Sequence, residues 1–390
     1  MSVAWRDDPI AHLIGPTSRD DFFARFYERE ALVAAHNDAA RFADLVSIDT
    51  VDRLVTSADL REGQLDMADA SRELRRDAYV DEAGFVDRGA VADLYRNGAT
   101  IILQQAHQFE PALGAFCRAL EHVFSSHVQT NLYLTPANAQ GFRTHYDNHD
   151  VFVLQVSGQK AWRLYGTPID TPYRGEAFHS GEHQSGAISR EFVLKAGDCA
   201  YVPRGMMHDA STSGSDPSLH ITVGLITRTW ADLMLEAVSE VALRSPNLRR
   251  SLPAGFASRE FDRSAARATL KSLAEELAKE LQLDPALDLM ADTFIRSRAA
   301  DNRGAIAEAA RPIGANETFR ARAYVPFRIA EDTKGVVVIA PGGELMFAPA
   351  LKEAVERALN GAAFAPQTLN VAEAAEISAR LLAYGLIERV

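Results

Sequence analysis

His145 and Asp147 stand two residues apart in the run Thr144, His145, Tyr146, Asp147, and His208 closes the run Val202-Pro-Arg-Gly-Met-Met-His208. On a β-strand, whose side chains repeat with period two, the first pair would share one face, and a ligand from elsewhere in the chain would complete a metal site. Two imidazoles and a carboxylate occupy half of an octahedral sphere. The open half suits an iron(II) centre that takes a co-substrate and dioxygen together, the donor set of the facial triad. A short His-x-Asp arises often by chance, so this reading depends on strands that carry the chain from Asp147 back round to His208. His12, His36, His107, His122, His127, His149, His179 and His183 read as ordinary surface or core histidines. Lys160 follows the turn Ser157-Gly158. From the residues alone it is either a solvated lysine at a hairpin end or a cation that reaches into a barrel from a neighbouring strand.

Stretches rich in β-branched and aromatic residues supply the positioning elements. Residues 131–135, 150–156, 161–165, 191–194, 199–202 and 219–226 read as short strands, separated by turn signals at 157–158, 196–198 and 213–216. Many short strands at close spacing point to an antiparallel sandwich or barrel, here a jelly roll of the cupin type with a metal in its mouth. Before it, residues 1–99 are mixed, with helical patches at 20–36 and 88–96. Residues 100–104 are strand-like, and 111–124 have helical spacing through Leu113, Phe116, Leu120 and Phe124. Beyond Arg228 the period becomes helical through Trp230, Leu233, Met234, Ala237, Val238, Val241 and Ala242, and again over 265–281. Those faces serve either dimerisation or plain packing on the barrel.

The last stretch predicts a hairpin over 335–347 and a helix over 349–359. A final helix is expected to be capped by Asn370 with Glu373 and ended by Gly385. The expected fold is therefore a mainly β catalytic domain (a double-stranded β-helix or jelly roll) with a helical segment and a winged-helix-like α+β domain. The boundaries are 1–228, with its barrel core over about 100–228, then 229–300 and 301–390.

Composition narrows the class. The chain has 390 residues, 47% hydrophobic and 24% charged, with a net charge of −12. That is enough material for two or three packed domains, and the charge argues against direct nucleic-acid binding while favouring a cationic partner such as a basic protein. Only Cys117 and Cys199 are present, which points to a reducing compartment. No run approaches the ~20 apolar residues of a membrane span and the N-terminus has no signal-peptide pattern, so the expected location is the cytoplasm.

The block from Thr130 to Tyr165, with Thr144-His-Tyr-Asp147 at its centre, closely resembles the JmjC ribosomal oxygenases of the cupin superfamily. The run Gly197-Asp-Cys-Ala-Tyr-Val-Pro-Arg-Gly-Met-Met-His208 resembles their second metal motif, and Ser218-Leu-His-Ile-Thr222 the strand that follows. The resemblance implies that His145, Asp147 and His208 are iron ligands. It places Lys160 on the C5 carboxylate of 2-oxoglutarate, with Asn131, Tyr133 and Thr222 beside the co-substrate. Some relatives carry a side chain where this chain has Gly224, and His220 matches a position where relatives often have histidine, without a role that the sequence supplies. The implied activity requires Fe(II), 2-oxoglutarate and dioxygen and hydroxylates a protein side chain, with His or Arg of a ribosomal protein as the leading substrate and a homodimer as the expected assembly. Three alternatives stand beside it: the same chemistry on a peptide natural product or another protein, a non-catalytic metal-binding cupin, and a zinc-dependent isomerase.

Overall fold

The computed structural model describes residues 3–212, 214–333 and 335–390; Ser213, in the turn expected at 213–216, lies outside them. The chain divides into two compact units, the first ending at Thr227 and the second beginning at Arg228.

The first unit holds strands β1 (Leu32–Ala34), β2 (Leu65–Ala68), β3 (Thr100–Leu103), β4 (His127–Thr135), β5 (Asp150–Ser157), β6 (Gln159–Leu164), β7 (Arg190–Lys195), β8 (Cys199–Val202), β9 (His208–Thr212) and β10 (Ser218–Ile226). They form a seven-stranded sheet in the order β1-β8-β5-β10-β4-β3-β2 and a three-stranded sheet in the order β7-β6-β9. All pairs are antiparallel. Val151, Val153 and Ala200 of the larger sheet bury against Trp162 and Leu194 of the smaller one, which makes the two-layered jelly roll that the sequence predicts.

On β5 the alternate residues face the other way. Phe152 is fully buried among Phe22, Phe124 and Tyr201, with ring centroids 5.6, 6.2 and 5.1 Å away. Burial of such a ring contributes about 1.5–3 kcal/mol. Both faces of β5 are therefore covered, which accounts for its unbroken apolar run. The N-terminal hundred residues supply part of that cover. They are also stitched on by polar contacts: the Glu28 N–H donates to Tyr201 Oη, and Arg204 bridges Glu28 and the buried Asp150, both at 2.6 Å.

Several expectations need correction. His145 and Asp147 do not lie on a strand; the segment makes a single bridge, His145 opposite His208. Residues 20–36 do not form one helix, because Arg19–Asp21 runs into a wide helical turn at Phe22–Phe26 and the chain then extends into β1. Strand β9 was not expected, since His208-Asp-Ala-Ser-Thr212 carries little β-branched or aromatic signature.

In the second unit, helices Trp230–Arg244, Ser264–Glu280 and Leu283–Arg296 cover both periodic stretches and add a third helix. Leu233, Ala237 and Ala286 form a small buried cluster between two of them. Next come β11 (Phe319–Ala321), β12 (Arg328–Asp332), β13 (Gly335–Ala340), β14 (Gly343–Phe347), helices Lys352–Leu359 and Ala374–Ala383, and β15 (Ile387–Arg389). The expected hairpin is β13 with β14. Its inward residues, with Val355, Ile377 and Leu381, make this part's core. Phe294 and Ile295 of the preceding helix pack on Val337 and Ile339, so both stretches set apart at residue 300 share one unit. Asn370 does not cap the last helix. It sits in the left-handed region at φ 57° after Pro366–Leu369, and the helix starts at Ala374.

Candidate metal centre and its pocket

Strand β9 and the irregular segment before β5 bring the three expected ligands together. His145, Asp147 and His208 each offer a ligand atom within 4.8 Å of the others. His208 Nε2 lies 3.6 Å from Asp147 Oδ2, and the two imidazoles are 4.7 Å apart. The backbones of His145 and His208 exchange both hydrogen bonds, at 3.1 and 2.7 Å. Each ring is also oriented from behind: His145 Nδ1 lies 2.8 Å from Arg143 O, and His208 Nδ1 lies 3.0 Å from Met206 O. Since a carbonyl only accepts, Nδ1 carries the proton in both rings and Nε2 presents its lone pair to the site.

The charge states of Asp147 and His208 suit a metal. Burial pushes the Asp147 carboxyl up, but the imidazoles of His208, His149 and His145 outweigh it and hold the group below the usual carboxylate range. Burial, aided by His145, lowers the His208 pKa. A carboxylate and neutral imidazoles are the donor forms that a divalent cation takes, so the residues fit such an ion.

The triad lines a cavity of about 260 Å³. Its wall is built from paired strands. Asn131 and Tyr133 alternate on β4 and stand opposite Thr222 and His220 of β10, and all four line the cavity. Tyr133 stacks on His220 with centroids 4.7 Å apart and planes 5° from parallel, while Trp162 meets His220 edge-on at 6.0 Å. Asn131 Oδ1 accepts the Gln105 N–H at 2.9 Å, which fixes the amide.

Burial excludes one of the two readings of Lys160. The residue is 4% exposed, so it is not a solvated lysine. Burial alone brings its amine down to about 7. His220 is held well below its ordinary value by burial and then by the nearby Lys160 charge. Among the described residues no carboxylate pairs with Lys160. A buried amine without a counter-charge is costly, and an anionic ligand would relieve that cost. Lys160 is not among the residues that line the cavity, but it lies close enough to His220 of the cavity wall to act on it electrostatically, so the donor set and this cation are the two features that a chelating dicarboxylate would engage.

His149, Trp162, Phe142 and Asp209 also line the cavity, and the sequence reading passed over all four. Trp162 was within reach, because it lies two residues from Lys160 on the same face of β6. For His149 the signal was Gly224. A Cβ at that glycine would lie 2.6 Å from His149 Cδ2 and 2.7 Å from Nε2, so the space that a side chain at 224 would take is filled by the ring. The other histidines given an ordinary role include His12 and His36, whose rings reach the carbonyls of Val3 and Leu13.

A jelly roll with two histidines and an aspartate gathered at one cavity, and a buried lysine on a neighbouring strand, has the make-up of a metal-binding cupin. Residues 102–233 match the family model of the JmjC domain, and the chain contains that domain, as the motif resemblance implied. Ribosomal oxygenase 1 of Rattus norvegicus is 33% identical over 304 residues, covering 73% of this chain and 50% of the relative. The Bos taurus protein of that name is 31% identical over 301 residues, covering 73% and 45%. The bifunctional lysine-specific demethylase and histidyl-hydroxylase NO66 of Drosophila willistoni is 30% identical over 303 residues, covering 73% and 39%. The chain thus spans about half the length, or less, of these relatives. Among solved structures, Escherichia coli ribosomal oxygenase YcfD shares the fold, with a TM-score of 0.56 at 14% identity over 96% of this chain and 98% of that one. YcfD has also been solved with cobalt and 2-oxoglutarate, and that structure matches with a TM-score of 0.55 at 13% identity.

Proposed function

We propose that this protein is an Fe(II)- and 2-oxoglutarate-dependent oxygenase that hydroxylates a protein side chain, with His or Arg of a ribosomal protein as the substrate class. The observation that carries the reading is Lys160, a buried amine without a counter-charge among the described residues, on the same small barrel as an open triad of two imidazoles and a carboxylate. His145, Asp147 and His208 are the residues to hold the metal. Lys160 is the residue to hold the distal carboxylate of 2-oxoglutarate by charge, while Asn131, Tyr133 and Thr222 bound the same cavity and orient the co-substrate. When bound, iron(II) supplies the chemistry that couples oxidative decarboxylation of 2-oxoglutarate to succinate and carbon dioxide with transfer of one oxygen atom to a C–H bond. The chain's part is to fix the ligands, exclude water through the Trp162, Tyr133 and Phe142 rings, and aim the open positions at one carbon.

The names of the curated relatives support the substrate class. The net charge of −12 suits a basic protein. A homodimer through the 229–300 segment is part of this reading, supported by apolar side chains left exposed there, among them Trp230 at 76% and Leu243 at 78%. A cytoplasmic site is also part of it: Cys117 and Cys199 are both buried, and no helix of the described residues is long and apolar enough to cross a membrane.

Two measurements test the reading. Purified protein with iron(II) and ascorbate should form succinate from 2-oxoglutarate, and Lys160→Ala should abolish this. Ribosomal proteins from cells lacking the protein should lack an added oxygen on a His- or Arg-containing peptide that is present in the parent. If succinate forms but no ribosomal protein differs in mass, the chemistry stands and the substrate assignment fails. If no succinate forms, both fail.

A further inference from the structure

Asp209 follows His208 directly, and its side chain is 2% exposed. Its carboxylate takes four short bonds: Thr144 Oγ1 and Tyr165 Oη donate to Oδ2, both at 2.7 Å, and Arg163 donates to Oδ1 through Nε at 2.8 Å and Nη2 at 2.7 Å. The identity of the donors matters more than their number. Thr144 precedes His145, so the backbone bridge between His145 and His208 is repeated one residue away by the side-chain bond between Thr144 and Asp209. Arg163 stands opposite Asp209 across β6 and β9, and Lys160 lies on that same β6.

We infer that Asp209 is a positioning residue for the metal centre, clamping the His145-bearing segment and β9 to each other and both to the Lys160 strand. The inference rests on the proposal that His145, Asp147 and His208 bind a divalent metal. The segment at 144–149 has no ladder to hold it, since His145 makes only a single bridge; a two-point attachment to β9 fixes what a strand would otherwise fix. A carboxylate is the group that accepts from all of these donors and also neutralises Arg163. An amide of the same shape could keep one oxygen for Arg163, but it would remove the negative charge that the guanidinium faces and force the Thr144 and Tyr165 hydroxyls to reverse from donating to accepting.

The test uses cobalt(II) as the probe with the full-length chain, following its visible d–d absorption during titration and, separately, the thermal midpoint without metal. Asp209→Asn is expected to weaken cobalt affinity by about ten- to a hundredfold and to alter the band shape, as loss of an orienting partner does at other metal sites. Thr144→Val removes one donor while keeping side-chain volume. It is expected to weaken affinity several-fold with the melting point nearly unchanged, and it carries the test if Asp209→Asn does not fold. Tyr165→Phe, which leaves the Thr144 contact in place, should cost less than Thr144→Val. Parent-like affinity and spectrum in folded Asp209→Asn or in Thr144→Val would overturn the inference and leave the metal reading standing. No cobalt binding by the parent would instead overturn the metal reading, and this inference with it.

Discussion

At the scale of single residues, Lys160 sets function against stability. Its amine, brought to about 7 by burial, is a destabilising charge in the ligand-free barrel, and each unit of depression is worth about 1.4 kcal/mol. Between that value and the ordinary lysine range the unfolded chain holds a proton that the folded chain does not. Stability of the ligand-free protein should therefore rise with pH across that window, whereas below it the full penalty is present and this residue adds no pH dependence. Co-substrate affinity should run the opposite way, falling as pH rises above about 7 and the cation is lost. Lys160→Met, nearly the same length but apolar, should raise the thermal midpoint by several degrees, flatten the pH slope and abolish stabilisation by 2-oxoglutarate. A lower midpoint in that variant would contradict this account of the pocket. Gly224 offers an independent check. Gly224→Ala forces a Cβ into the His149 ring and should cost about 1–3 kcal/mol, as overpacking does, but far less in a His149→Ala background. Equal costs in the two backgrounds, measured by urea denaturation, would show that the ring is not seated there.

At the scale of elements, the sequence made the apolar strands legible and the polar ones not. β5, β8 and β10 announce themselves by β-branched and aromatic runs because both their faces are covered. β9 opens with a metal-site histidine and continues through the clamp residue Asp209, so function has replaced the residues that would have marked a strand. The triad itself was readable from residue types and motif spacing. Its local geometry was not, because the His145 segment is held by one bridge, by the Gly205 N–H donating to Asp147 O, and by side chains far away in sequence. Gly224 was visible as a departure while its reason was hidden, since nothing in the local pattern ties it to His149. This division of labour yields a prediction for His208→Ala. β9 pairs with β6 through its backbone, and the imidazole is a buried group whose charged form is disfavoured. The metal-free variant should keep its far-UV circular dichroism and melt within a few degrees of the parent, while stabilisation by manganese(II) disappears. Retained metal stabilisation would sink the ligand assignment.

At the scale of the whole molecule, the open question is what covers the apolar helices of the second unit. Along Trp230–Arg244 only Leu233, Ala237 and Val241 are buried, whereas Trp230 is 76% and Met234 46% exposed, one helical turn apart and therefore on one face. Large side chains gathered on one face and left in water mark an association surface more often than a monomer's ordinary exterior. A second copy of the chain is the occupant proposed here, so the parent should sediment as a dimer at micromolar concentration. Trp230→Glu combined with Met234→Glu should place four buried carboxylates in a twofold-symmetric contact and shift the species to monomer. Every residue assigned to the metal centre precedes Thr227, so the monomeric variant should bind cobalt(II) as the parent does. A dimer that survives both substitutions would move the contact to another face. A parent that is monomeric throughout would remove the assembly from the proposal and leave the chemistry of the first unit untouched.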